Sequence, residues 1–334
     1  MKEHGVQAGG AGAESGRKRR RWRKRLSRYG TYFLLRSLHV LVSRLPLGAG
    51  RVLSWGLGTS AYYLLGRDRR TALRNLTRVY GAERPPSAIR ALARGVFRST
   101  AAVVIDWIIL RRWPREKLLA SFPQAAALVR KMTDDVRASG SGMVGLTAHV
   151  GNWEVLSLIA SHVAPGLVVP IANRIYFKKY NDFIHRLRAG TGLEVIYSDE
   201  SPRKMLRAVR DGHLLALLPD HEIRTNSGVF VDFFGLPAYT ATFPVDVARK
   251  LGLKMLLILL VRDGRGFRAV YREPFDVPRT DDETADILKG TQLWTRMLEE
   301  EVRKVPEQWT WMQDRWRSTP ERPRRHVDRG RSVR

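Results

Sequence analysis

His149 and Glu154 are the pair in this sequence whose types and spacing could do acid–base chemistry. They stand in Thr147-Ala148-His149-Val150-Gly151-Asn152-Trp153-Glu154. On one continuous helix, positions i and i+5 lie about 140° apart and would not face each other. The two can meet only if His149 precedes a helix and the chain folds back. Gly151 permits such a turn, and Asn152 is a good N-cap for the helix after it. Glu154 then falls in the first helical turn, where the helix dipole favours an ionised carboxylate. Such a carboxylate would hold the imidazole in one tautomer and leave His149 as a general base toward a hydroxyl. The plainer reading is a capping pair in an ordinary strand–helix turn, and spacing alone does not separate the two.

Other chemistries are poorly served. The chain has no cysteine, so disulfides, thiolate nucleophiles and cysteine-based zinc sites are out. Its eight histidines show no HExxH and no metal-ligand spacing, so no metal is expected. No serine sits in a nucleophile elbow near His149. Activation of a hydroxyl for direct attack is therefore simpler than a covalent enzyme intermediate.

The motif needs a strand before it and a helix after it, and the pattern supplies both. Residues 143–148 form a short apolar run of the kind a buried strand requires. Further strands are expected at 167–173, 193–198, 213–220, 254–261 and 267–275, with a less clearly alternating apolar stretch at 228–235. Helices are expected across 67–132, then at 153–162, 180–190, 202–212, 240–252 and 281–304. Alternation of strand and helix implies an α/β fold, a mixed, largely parallel sheet flanked by helices. His149 then falls at the carboxyl end of a strand, where open sheets bind ligands.

Charge narrows the surroundings. The formal net charge of +27 calls for an anionic partner surface, nucleic acid or acidic membrane. Residues 17–28 (RKRRRWRKRLSR) carry nine Lys/Arg and run into Tyr29, Tyr32, Phe33, Leu34 and Leu35. That continuation suits a membrane surface, with charges at the headgroups and aromatics at the interface. Residues 31–43 and 52–66 are too short or too interrupted for a clean span, so two interfacial helices are expected. The arginines at 19–21 suggest twin-arginine export, but no clean apolar core or cleavage site follows. The expected organisation is a disordered basic tail at 1–28, membrane-associated helices at 29–66, a catalytic domain at 67–317 and a second basic tail at 318–334. Nucleic-acid binding rests on charge alone, with no recognised motif behind it, and none is expected.

Four segments, in order, resemble the bacterial late acyltransferases of lipid A biosynthesis, within the wider glycerolipid acyltransferase-like group. They are RTALRNL (70–76), HVGNWE (149–154), LLPDHE with GVFVDFFGLPAYTAT (217–242) and PEQWTWMQDRW (306–316). The resemblance implies a glycerolipid acyltransferase-like fold and a catalytic dyad at His149 and Glu154. It makes Arg174 an anion-binding residue, although the stretch from Arg174 to Asn181 is longer than the family's usual spacing. Asp220 ends a strand on the same side of the sheet, placed to orient active-site groups or simply to close a Pro-Asp turn. Arg174, Asn152 and Asp220 are the candidate substrate-binding residues. Trp309, Trp311 and Trp316 are read as core or interface packing.

The family also implies an acyl thioester donor, on acyl carrier protein or coenzyme A, as co-substrate without a further cofactor. The acceptor would be a glycolipid such as a lipid A precursor or a phosphatidylinositol mannoside, met at the cytoplasmic face of the inner membrane. A non-catalytic lipid-binding protein on the same fold is the alternative.

Overall fold

The computed structural model describes residues 36–37, 39–174, 178–189, 192–222 and 227–321. The tail expected at 1–28 and most of that expected at 318–334 lie outside them. Helices come first: α1 (Leu47–Leu64), α2 (Gly66–Tyr80), α3 (Pro86–Leu110), α4 (Arg115–Ser121) and α5 (Pro123–Ala138). Pro86 and Pro123 open their helices at the position where a missing N–H costs nothing. α1 buries Gly50, Ser54, Gly58 and Tyr62, every fourth residue. A Cβ at Gly58 would overlap the Arg98 backbone of α3, so the two helix backbones pack nearly in contact.

A six-stranded sheet comes next, in the order β3-β2-β4-β1-β7-β8. Its strands are β1 (Met143–Leu146), β2 (Val168–Ala172), β3 (Ile196–Tyr197), β4 (Leu214–Leu217), β7 (Met255–Asp263) and β8 (Gly266–Phe275). All neighbours are parallel except the β7–β8 hairpin. The helices α6 (Trp153–Val163), α7 (Lys178–Ala189), α8 (Pro202–Arg210), α9 (Phe243–Leu251) and α10 (Glu283–Lys304) complete the α/β architecture. All four residues of β1 are buried, as a central strand covered on both faces requires.

Three expected elements changed. The stretch 228–235 pairs with residues 236–241 as an antiparallel hairpin, β5 (Gly228–Phe233) and β6 (Leu236–Ala241). Phe234 and Gly235 turn it with φ of 61° and 73°, the positive values a two-residue hairpin turn needs. The Phe234 amide donates to Glu299 Oε2 at 2.6 Å, which helps hold that unusual conformation. Because Thr240 and Ala241 belong to β6, the helix expected over 240–252 starts only at Phe243. The strand expected over 193–198 shrinks to Ile196–Tyr197 at the sheet edge.

Of the two interfacial helices expected at the front, the second is a helix at Leu47–Leu64; in the first, residues 36–37 and 39–42 are helical, and residues 31–35 and 38 lie outside the described residues. Among the described residues no helix is long and apolar enough to cross a membrane. Trp309, Trp311 and Trp316 are buried in the core, together with Phe233, Phe234 and Trp294. The Trp309 and Trp311 rings meet edge to face at 4.7 Å.

Candidate active site

Strand register builds the site. Leu146 of β1 pairs with Leu217 of β4, and each chain runs three residues further, to His149 and to Asp220. The two side chains therefore arrive together at the carboxyl edge of the sheet. The His149 amide donates to Asp220 Oδ2 at 3.0 Å, and Nδ1 lies 2.9 Å from Oδ1. Trp309 donates its Nε1–H to Oδ2 at 2.9 Å. Asp220 is buried. Burial opposes its ionised form, but the two neighbouring histidines and the hydrogen bonds from His149 and Trp309 prevail, holding the carboxyl well below its ordinary range. An ionised carboxylate only accepts, so the shared proton sits on His149 Nδ1 and the lone pair on Nε2. That is the tautomer of a general base.

Gly151 shapes the turn beyond. Its φ is 61°, and a Cβ there would stand 2.7 Å from Val261 Cα and collide with the Leu260 carbonyl. The close approach lets the Asn152 amide donate to Leu260 O at 2.7 Å, which ties the turn to β7. Asn152 caps α6 as expected, accepting from the Val155 amide at 3.0 Å. Its Nδ2 faces the Val103 carbonyl and Asp106 of α3, both at 3.4 Å. Asn152 is buried and engaged at both ends within the fold.

Glu154 also departs from expectation. The orienting bond to His149 comes from Asp220, while Glu154 pairs with Arg188 of α7. The second bond of that pair, Arg188 Nε to Oε2, is 3.2 Å. The His-x4-Glu motif thus splits into two partnerships: His149 looks inward to Asp220, and Glu154 looks across to α7. Arg174 joins neither group. Its Nε lies 2.9 Å from both Asp199 oxygens, its Nη2 lies 3.2 Å from Glu200, and its guanidinium lies over the Tyr197 ring. Two carboxylates pair with it, and the arginine beside Glu154 is Arg188.

His221 lies flat on His149, with ring centres 3.9 Å apart and planes within 9°. Its Nε2 is 3.0 Å from Thr310 Oγ1. Burial pushes its pKa down to about 4, with help from the charges of His149 and Arg315 against the pull of Asp220. It is neutral at pH 7, so it lets His149 take up a proton without a second cation against its face. Trp153 packs edge-on against His149 at 4.9 Å. His149, Asp220 and His221 each bring a potential metal-ligand atom within 4.8 Å of the others. A metal sits in the plane of each imidazole it binds, and two parallel planes share no such point. Within the trio His149 and Asp220 share the hydrogen bond, and His221 stacks on the imidazole without one to either.

Beside this pair an apolar slot with a cavity volume of about 90 Å³ runs between α5, α6 and the sheet. Met132, Leu156, Ala160, Val168, Leu214 and Ile258 help line it, Thr147, Trp153 and Glu154 set it against the His149 turn, and Arg188 joins them from α7.

His221, Trp309 and Arg188 were not singled out from sequence as partners of the dyad. The Pro-Asp-His run after an apolar strand was a usable signal for His221. No local signal marks Arg188, which is 34 residues from Glu154 on a polar helix.

The fold sets a histidine–carboxylate pair beside an apolar slot, and the relatives of this chain are named acyltransferases. A family model for bacterial lipid A biosynthesis acyltransferases matches residues 17–318, and the chain belongs to that family. The lipid A biosynthesis lauroyltransferase of Escherichia coli (strain K12) is 24% identical over 285 residues, 84% of this chain and 89% of the relative. The phosphatidylinositol mannoside acyltransferase of Mycobacterium tuberculosis (strain ATCC 25618 / H37Rv) is 26% identical over 194 residues, 55% of this chain and 57% of the relative.

Proposed function

We propose that the protein is a membrane-associated O-acyltransferase that moves a fatty acyl chain from an acyl thioester to a hydroxyl of a glycolipid, a lipid A precursor. The observation that carries this reading is the His149–Asp220–Trp309 relay beside the apolar slot. The acyl chain enters the slot with its thioester carbonyl at the catalytic turn. His149 Nε2 takes the proton of the acceptor hydroxyl as its oxygen attacks the carbonyl carbon. The N-terminal end of α6 favours the oxyanion. The C–S bond then breaks, and the thiolate of acyl carrier protein or coenzyme A leaves with the proton from the imidazolium. Asp220 keeps its charge throughout and stabilises that imidazolium. Glu154 and Arg188, paired at the mouth, position the turn and the donor rather than the proton.

The lipid A acceptor is favoured over a phosphatidylinositol mannoside because the lauroyltransferase likeness extends over 89% of that relative, against 57% for the mannoside enzyme. The basic front and the apolar outward face of α1 support work at the cytoplasmic face of the inner membrane. The test is expression in a Gram-negative host lacking its own late lipid A acyltransferase, with lipid A weighed by mass spectrometry. A new acyl mass is expected with wild type and not with a folded His149→Ala variant. A new mass only elsewhere in the lipid extract would move the acceptor. Equal products from both proteins would remove His149 from the mechanism.

A further inference from the structure

Away from the acyl slot, a cleft of about 330 Å³ lies between α1, α3 and the β7–β8 turn. Three arginines from three elements line it: Arg51, Arg98 and Arg262. Their neutralisation is thin. Arg262 pairs with buried Asp106, and Glu307 is the carboxylate in the wall. Arg51 donates to the Arg265 carbonyl, and its Nε is buried without a partner among the described residues. Burial and the charges of Arg262 and Arg265 lower the Arg51 pKa, more than Asp106 restores. Arg98 lies 4.4 Å over the Trp55 ring and uses its Nε on Thr59 Oγ1 at 2.9 Å. Most of its donors remain for a ligand. Guanidiniums that line one cleft with spare donors fit a phosphate better than a neutral group.

The flank of the cleft says what carries the phosphate. α1 has a single charged residue in 18, Arg51, and that one lines the cleft. The outward face shows Val52, Trp55, Tyr63 and Leu64 to solvent, with Val52 73% and Leu64 80% exposed. Arg51, Trp55 and Thr59 succeed one another at four-residue spacing along one edge, dividing the apolar face from the cationic cleft. An exposed apolar face beside a cationic cleft is a surface that a lipid interface would cover.

We propose that this cleft binds the phosphate of an anionic membrane phospholipid while the lipid's acyl chains lie along α1. The inference builds on the membrane-facing role proposed above but does not need acyl transfer, so the two fail separately. It orients the enzyme as well. Asp106 joins Arg262 of the cleft to Asn152 of the catalytic turn, so a seated headgroup sets His149 at a fixed height above the bilayer.

The full-length protein is titrated with dihexanoyl phosphatidic acid below its micelle concentration, with dihexanoyl phosphatidylcholine and with glycerol 3-phosphate. Calorimetry gives affinity, and hydrogen exchange reports residues 47–64 and 262–266. Phosphatidic acid is expected to bind and to protect both segments, and the other two to bind at least tenfold more weakly. Arg98→Gln and Arg51→Gln are each expected to weaken phosphatidic acid about tenfold, and exposed Arg67→Gln, on α2, to change nothing. Thermal unfolding checks that the variants fold, and protection in the wild type stands independently of them. Equal binding of phosphatidylcholine, or equal loss in Arg67→Gln, would overturn the cleft as the site. Equal binding of glycerol 3-phosphate would overturn the lipid as its ligand. Protection of the same segments by duplex DNA in place of phosphatidic acid would overturn both.

Discussion

Replacing Asp220 by asparagine should stop the reaction without unfolding the protein, because of the donors that converge on it. Three N–H groups point at this carboxylate: the His149 amide and Trp309 Nε1 at Oδ2, and His149 Nδ1 at Oδ1. Asparagine offers one acceptor oxygen and one NH2 group. The oxygen satisfies most donors in the Oδ2 position, which puts the NH2 against His149 Nδ1. The imidazole must then accept there and carry its proton on Nε2, the wrong tautomer for a base. In hydrolytic triads the same change costs about 10⁴ in kcat. A loss of roughly 10³ to 10⁴ is expected here, about 4–5.5 kcal/mol of barrier at ~1.36 kcal/mol per decade. Steady-state acyl transfer from an acyl thioester to lipid acceptor measures it, with circular dichroism and thermal unfolding as the check on fold. A folded Asp220→Asn enzyme within tenfold of wild-type kcat would refute the relay.

Glu154→Gln should act differently, since the residue is tied to Arg188 and not to His149. The side chains are 13% and 28% exposed, between a surface pair and a buried one, so about 1–2 kcal/mol is at stake. The effect should fall mainly on KM for the donor. A kcat loss in Glu154→Gln larger than in Asp220→Asn would return Glu154 to the proton path. Acid should destabilise the fold in two stages. His221 stays neutral in the folded protein down to about pH 4, whereas an unfolded histidine takes its proton near 6.5. The unfolded chain therefore binds protons first, and stability falls between those values by up to about 3 kcal/mol. Asp220, whose carboxyl is held low, adds a further loss below pH ~4. Thermal unfolding against pH should show the first stage in wild type and much less of it in His221→Asn; identical curves from pH 6.5 to 4 would count against the neutral stack. Ala160→Leu should shift products to shorter acyl chains, because Ala160 lines the slot and each excluded methylene forfeits ~0.8 kcal/mol. An unchanged chain-length profile would place the acyl chain elsewhere.

The placement of His149, just past a buried strand and before a capped helix, was legible in the sequence because its signal is local. A short apolar run fixes a buried strand, Gly151 permits the turn, and Asn152 caps the next helix, all within a short stretch of chain. The α/β class was legible for the same reason, since periods of 2 and 3.6 are read over short windows. The basic, apolar front and the tryptophan-rich segment also announce themselves by composition. What sequence spacing could not reveal is which carboxylate faces the imidazole. Glu154 is five residues from His149 and Asp220 is 71. Only the pairing of Leu146 with Leu217 brings the distant one to Nδ1. The same limit hid the Glu154–Arg188 pair, the His221 stack and the arginine cleft between α1, α3 and the β7–β8 turn. Local order comes from neighbours along the chain, whereas the proton path comes from strand register and from how the helices pack on the sheet, and those are decided by the fold as a whole.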